Sequence, residues 1–329
     1  MAGFEEIVGH TWEITQLKNA VKHQHVSHAY IIEGPEGSGK KTLAKAFAAA
    51  LLCEEKTGNA CGRCLSCRKL AANSHPDVIF LQPEGKTYKV EDIRQRLNAD
   101  IVVKPYESER KIYILDRADE LNAQSQNALL KTLEEPPAYG LILLLAQNAD
   151  TLLPTIRSRC IRLPLRPLED AQIRESLQKR GLSKEDVDAC TAFAQGVLGR
   201  AQKLAASEQF KDSREQIVSL LKQIDTLGFY EQSKRMEQIF SVNDDTDEIL
   251  DIFYAWFRDV LLIKASGDTA GAVFGQEKPI LRRQAGRYAY TALDEILRMT
   301  ETMRVRVGVN INKQLCMEEL LATIKEKTQ

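Results

Sequence analysis

Four short apolar runs punctuate the first half of the chain: Ala29 to Ile32, Val78 to Leu81, Ile112 to Leu115 and Leu141 to Leu145, with Ile161 to Leu165 extending the series as a fifth. A strand with one wet face alternates apolar and polar residues. Continuous runs of four or five suit a parallel sheet covered on both faces. Helical patterns fall between the runs. Within Lys41 to Leu52, Leu43, Phe47 and Leu51 recur at i, i+4 and i+8 and share one helix face. A second helix is expected to start near Asn122, a suitable N-cap, and to stop before Pro136-Pro137. Strand and helix in alternation make an α/β domain with a parallel sheet.

After Pro164 and Pro167 the strand pattern ends. From Leu168 to about Ser207 the pattern is of short helices broken by Gly181, Gly196 and Gly199. From about Glu208 onward longer helices follow, with Gly267 to Pro279 as the expected loop among them. A chain of 329 residues exceeds one ordinary core. Three domains are therefore expected: 1–165 α/β, 166–207 small and helical, and 208–329 helical. Lys plus Arg number 45 and Asp plus Glu 46, a net charge of −1. Overall charge does not pull such a chain onto nucleic acid, so DNA contact would need a local patch or partners. The longest apolar run, Ala46 to Cys53, is far short of the roughly 20 residues a bilayer needs. The acidic start, Met1 to Glu6, lacks a signal-peptide layout. No membrane contact and a cytoplasmic location are expected.

Gly34-Pro35-Glu36-Gly37-Ser38-Gly39-Lys40 stands between the first expected strand and the first of these helices, the context a phosphate-binding loop requires. Gly34, Gly37 and Gly39 let backbone N–H groups converge on phosphate oxygens, and the helix adds its positive end. Lys40 is placed to reach the terminal phosphates. The alternative is a glycine-rich turn without a ligand. The next position departs from the pattern. A working loop carries Ser or Thr there as a Mg²⁺ ligand, and this chain carries Lys41. At about 4 Å and an effective dielectric near 20, each like unit-charge pair costs on the order of 4 kcal/mol. Thr42 is turned by about 100° along the helix. Asp116, ending the third strand, suits the second Mg²⁺ anchor, but Arg117 occupies the place of a water-polarising Glu. ATP or ADP is expected to bind weakly or not at all, and hydrolysis to be poor.

Of seven cysteines, Cys53, Cys61, Cys64 and Cys67 fall within fifteen residues. In a reducing compartment such spacing reads as a metal site before a disulfide pair or free thiols. Four thiolates close a tetrahedral Zn²⁺ site with no open position, so the ion would be structural. Cys160, Cys190 and Cys316 are isolated and read as buried or incidental.

Ser27-His28-Ala29-Tyr30, the cysteine cluster (module 53–67), the stretch Asn127-Ala128-Leu129-Leu130-Lys131-Thr132-Leu133-Glu134-Glu135-Pro136-Pro137 and the triplet Ser158-Arg159-Cys160 together resemble the AAA+ clamp-loader subunits of bacterial DNA polymerase III. The altered positions 41 and 117 make the chain resemble a non-hydrolysing member. The resemblance implies a non-catalytic subunit of a DNA-directed DNA polymerase holoenzyme, a nucleotidyltransferase complex. It implies a hetero-pentamer with tau/gamma and delta subunits that opens a sliding clamp and places it on primer–template DNA. Residues 166–207 would be a lid and 208–329 a collar joining subunits. Arg159 would act in trans as an arginine finger on a neighbour's nucleotide; on the residues alone it is an ordinary strand-end ion pair. Gly199 aligns where active members carry a nucleotide-sensing arginine, with Arg200 one residue on. Two other functions compete: an independently active AAA+ ATPase, and a zinc-containing nucleic-acid module. The latter needs a basic stripe that the sequence lacks.

Overall fold

The computed structural model describes residues 3–85, 87–269, 271–309 and 311–327. The chain divides into two compact units, Met1–Lys179 with Gln195–Arg200, and Arg180–Ala194 with Ala201–Gln329.

All five expected strands form: β1 Ala29–Glu33, β2 Val78–Leu81, β3 Lys111–Leu115, β4 Gly140–Ala146 and β5 Ile161–Pro164. They make one parallel sheet in the order β2-β3-β4-β1-β5. Its two faces explain the continuous apolar runs. On one, Tyr30, Ile32, Ile112, Ile114, Leu141 and Leu143 pack with Leu43 and Phe47. On the other, Ala29, Ile31, Tyr113, Leu115, Ile142 and Leu144 pack with Leu129 and Leu133. Neighbouring residues of one strand thus enter different cores. β5 is an edge strand, and Ile161 is correspondingly exposed.

Helix α1 is Thr11–Lys22 and α2 is Lys40–Leu52. Leu43 and Phe47 of α2 are buried, with the Phe47 ring edge-on to Tyr30 at 5.3 Å, while Leu51 is half-buried. Helix α3 is Leu65–Ala71, and α4, Val90–Ile93, runs on into a π-helical turn, Arg94–Ala99. Helix α5, Ala123–Glu134, begins as expected: Asn122 caps it by accepting from the Ser125 amide at 2.8 Å. It ends two residues before Pro136, whose missing N–H cannot continue the ladder. Helix α6 is Pro154–Arg157, with proline in the first turn.

Then come α7 Asp170–Gln178, α8 Lys184–Ala194 and α9 Leu198–Ala206. Gly181 and Gly196 do sit between helices, with φ of 79° and 78°. Gly199 does not break the chain; it lies inside α9.

The second unit is helical throughout: α10 Glu208–Gln223, α11 Phe229–Val242, α12 Thr246–Ser266, α13 Lys278–Arg287, α14 Tyr290–Gly308 and α15 Lys313–Glu326. The expected loop after α12 is present, with one 3-10 turn at Gly275–Glu277. Buried Trp256 donates to the Gln284 carbonyl at 2.8 Å, and the Gln284 amide donates to Leu221 O at 2.8 Å. These bonds tie α12, α13 and α10 together without leaving a buried polar group unpaired. Among the described residues, no helix is long and apolar enough to cross a membrane.

Candidate functional site

The parallel sheet brings the ends of β1, β3 and β4 together on one edge, where open α/β sheets bind ligands. The residues that follow those strands line a cavity of about 630 Å³, with Gly37, Gly39, Lys40, Lys41, Thr42, Asp116, Arg117 and Gln147 in its wall. The loop turns through Gly37 and Gly39 at φ of 80° and 95°, backbone that a side chain would strain. Lys40 Nζ is folded back onto the loop and donates to Gly34 O at 2.6 Å and Pro35 O at 2.8 Å. Burial lowers the Lys40 pKa, and the nearby carboxylates of Asp119, Asp116 and Glu36 oppose that.

Lys41 Nζ lies 3.1 Å from Asp116 Oδ2. These are the two positions that would share a Mg²⁺ ion in a working loop, and an ammonium already bridges them. The residues present do not fit the divalent ion: one of its ligands is replaced by a cation, and its other anchor is paired to that cation. Thr42, expected to turn away, borders the cavity as well. Arg117 has a left-handed backbone, φ 54°, and its guanidinium donates to Glu120 Oε1 at 3.3 Å and Pro83 O at 3.4 Å.

Two acidic residues missing from the sequence reading also reach the cavity. Asp119 and Glu120 line it, and Asp119 Oδ1 accepts from the Gln147 amide at 3.1 Å. Glu120 Oε2 is buried without a hydrogen-bond partner. The strand-end position, 117, is an arginine, but the short 3-10 turn Ala118–Glu120 swings two carboxylates back toward the loop. Sequence spacing alone does not register such a turn.

Gly199 closes the loop from outside. Its N–H donates to Gly37 O at 3.0 Å, and a Cβ placed on it would sit 2.6 Å from that oxygen. An arginine aligned at this position has no room, so the glycine reflects direct backbone packing on the phosphate loop.

The four cysteines of the cluster come together. Their Sγ atoms all lie within 4.8 Å of one another. A zinc–thiolate tetrahedron with bonds of about 2.3 Å has edges of about 3.8 Å, so small shifts close the site. Cys53 caps the end of α2 and Cys64 the start of α3. Backbone amides already point at sulfur: Cys61 N donates to Cys53 Sγ and Cys64 N to Cys61 Sγ, both at 3.3 Å. The amides of Cys64 and Arg63 hold the half-buried Cys61 thiol down at about 7, whereas burial pushes Cys67 up to about 12. A metal is the species that would deprotonate all four. Burial alone pushes the isolated Cys160 thiol up to about 12.

Arg159 does not line the cavity of its own phosphate loop. It follows α6, about one-third exposed. Its guanidinium pairs with Glu134 Oε1 at 2.9 Å and donates to Thr155 O at 2.9 Å. Glu134, the last residue of α5, belongs to the stretch that carries the family likeness, but its pairing with Arg159 was not legible in it.

Comparison with known proteins places the chain in a family. The family model described as DNA polymerase III, delta subunit, matches residues 9–169. The DNA polymerase III subunit delta' of Pseudomonas aeruginosa is 31% identical, over 93% of each chain. The chain belongs to the DNA polymerase III subunit delta' family. A second delta-prime relative, from Bacillus subtilis, is 28% identical over 94% of each chain. The tau/gamma subunit of Haemophilus influenzae is 38% identical, but over 53% of this chain and 25% of that one. Likeness to delta-prime proteins therefore runs the length of the chain, and likeness to tau/gamma over about half of it.

Proposed function

We propose that this chain is the non-motor delta-prime subunit of a DNA polymerase III clamp loader, poor in ATP hydrolysis itself and supplying Arg159 in trans to a neighbouring subunit. The observation that carries this reading is the position of Arg159: outside its own cavity, partly exposed, and held by Glu134 and Thr155 O. An arginine so placed is available to a partner's nucleotide, where a finger is worth about 10³ to 10⁵ in rate. The Lys41–Asp116 pair supports the poor hydrolysis.

In this reading the partners are tau/gamma and delta subunits in a hetero-pentamer. The complex places a sliding clamp on primer–template DNA in the cytoplasm. Residues 1–165 form the AAA+ domain, 166–207 a lid and 208–329 the collar. Cys53, Cys61, Cys64 and Cys67 hold a structural zinc ion.

The test is ATP turnover of the reconstituted complex. Arg159→Ala lowers it at least a hundredfold while the complex stays assembled on size exclusion. An unchanged rate, or loss of assembly as the whole effect, contradicts the trans role. A second reading, an independently active ATPase, draws on Asp119 and Glu120 bordering the cavity. Steady-state turnover by the isolated chain that vanishes in Lys40→Ala would establish it.

A further inference from the structure

We propose that the phosphate loop is a metal-independent polyphosphate site in which the Lys41 ammonium holds the place of the divalent cation. The proposal rests on reading the cavity as a nucleotide-type site that does not turn over, and it adds what such a site binds and how.

In a working loop the metal does two things. It bridges phosphate oxygens and neutralises their charge, held by a hydroxyl after the loop lysine and by an acid at a strand end. Here Lys41 Nζ sits 3.1 Å from Asp116 Oδ2, so a tethered unit charge already lies between the two anchor positions. Mg²⁺ demands near-octahedral oxygen ligands at about 2.1 Å. It would have to displace an ammonium that is covalently attached and repels it.

The remaining groups favour a bare anion. The cavity, about 630 Å³, is the size of a small-ligand site. Arg117 is paired with Glu120 and Lys41 with Asp116. Lys40, by contrast, is satisfied by two neutral carbonyls, Gly34 O and Pro35 O. A phosphate oxygen offers a charge-assisted bond in their place. The space beside Gly39 is open, with no atom within 4 Å of where a Cβ would stand. The positive end of α2, a helix of 13 residues, faces the same cavity. Lys40 is thus the exchangeable cation and Lys41 the fixed one. The chemical class that fits is a di- or triphosphate free of metal: ADP, ATP or inorganic pyrophosphate.

Calorimetric titration of the full chain with ADP and with inorganic pyrophosphate, in EDTA and in millimolar MgCl₂, tests this. Binding is expected in EDTA and is weakened about tenfold by Mg²⁺, a modest outcome for like-charge repulsion at this range. Lys41→Thr, which restores a hydroxyl, reverses the preference. Lys41→Gln, which removes the charge without supplying a ligand, weakens binding in EDTA and gains nothing from Mg²⁺. Lys40→Ala abolishes binding in both. A thermal melt of each variant separates lost binding from lost folding. Binding by the natural chain that requires Mg²⁺, or no binding in EDTA, overturns the proposal. Neither result touches the trans role of Arg159, which is read from turnover at a neighbour's site.

Discussion

Helix α2 has a candidate site at each end, and the two handle charge in opposite ways. At its start the phosphate loop meets Lys41 and Asp116, a cation and an anion that the chain itself supplies. At its end Cys53 joins three other thiols with sulfurs within 4.8 Å of one another. The first site carries its own positive charge at the position a divalent ion would take. The second concentrates four thiols that a metal would hold together as thiolates. One helix of 13 residues therefore separates a pair of opposite charges from four thiols that could hold a metal ion.

The largest effect is expected at the cysteine end. The double variant Cys61→Ser, Cys64→Ser should fall from one zinc per chain to none by elemental analysis. Structural zinc is worth on the order of 10 kcal/mol to an isolated site, so amides from 53 to 72 should exchange far faster. Full zinc occupancy in the variant would break the comparison.

Next comes the rod between the ends. Phe47→Ala removes a fully buried ring from the core against Tyr30 and should cost about 3–5 kcal/mol in denaturant unfolding. Faster exchange at both ends of α2 is the expected pattern. Acceleration at one end alone would show that the sites are held independently.

Gly199→Ala probes the phosphate loop by itself. The added Cβ meets Gly37 O at 2.6 Å, and the loop or α9 must shift. A loss of about 1–3 kcal/mol is expected, with faster exchange at residues 36–39 and unchanged zinc content.

The smallest effect concerns the strand that feeds the loop. Glu33 accepts a forked pair of bonds from Arg162 at 2.6 and 2.9 Å. That hydrogen bonding holds its carboxyl below the ordinary 4.5. A depressed folded pKa contributes stability above the unfolded value and loses it as pH falls through the folded one. Glu33→Gln should therefore flatten the decline of Tm with acid below about pH 4.5 and leave Tm near neutrality slightly lower. An unchanged acid slope would remove Glu33 from the account.

The sequence reading placed all five strands within a residue at each end, because a covered parallel strand leaves an apolar run that local pattern reveals. It found the Asn122 cap for the same reason: the Ser125 amide it satisfies is three residues away. It mistook Gly199 for a helix break. A glycine's weak helix propensity says nothing of a backbone packed on it from elsewhere in the chain, and that contact, to Gly37, is what the position serves. Asp119 and Glu120 escaped notice because a 3-10 turn, not a strand end, aims them. Glu134 escaped because its partner, Arg159, lies on the far side of β4 in sequence.

By itself, then, the sequence determined the parallel α/β sheet, the helical remainder, the glycine loop and the thiol spacing, all of them short-range signals of periodicity or motif. Only the tertiary structure decided which charges meet. Lys41 and Asp116 are 75 residues apart, and nothing local to either names the other. Ion pairing falls off with distance in space and is blind to distance along the chain. The charge balance of the phosphate loop was therefore settled only when β1 and β3 were laid on either side of β4.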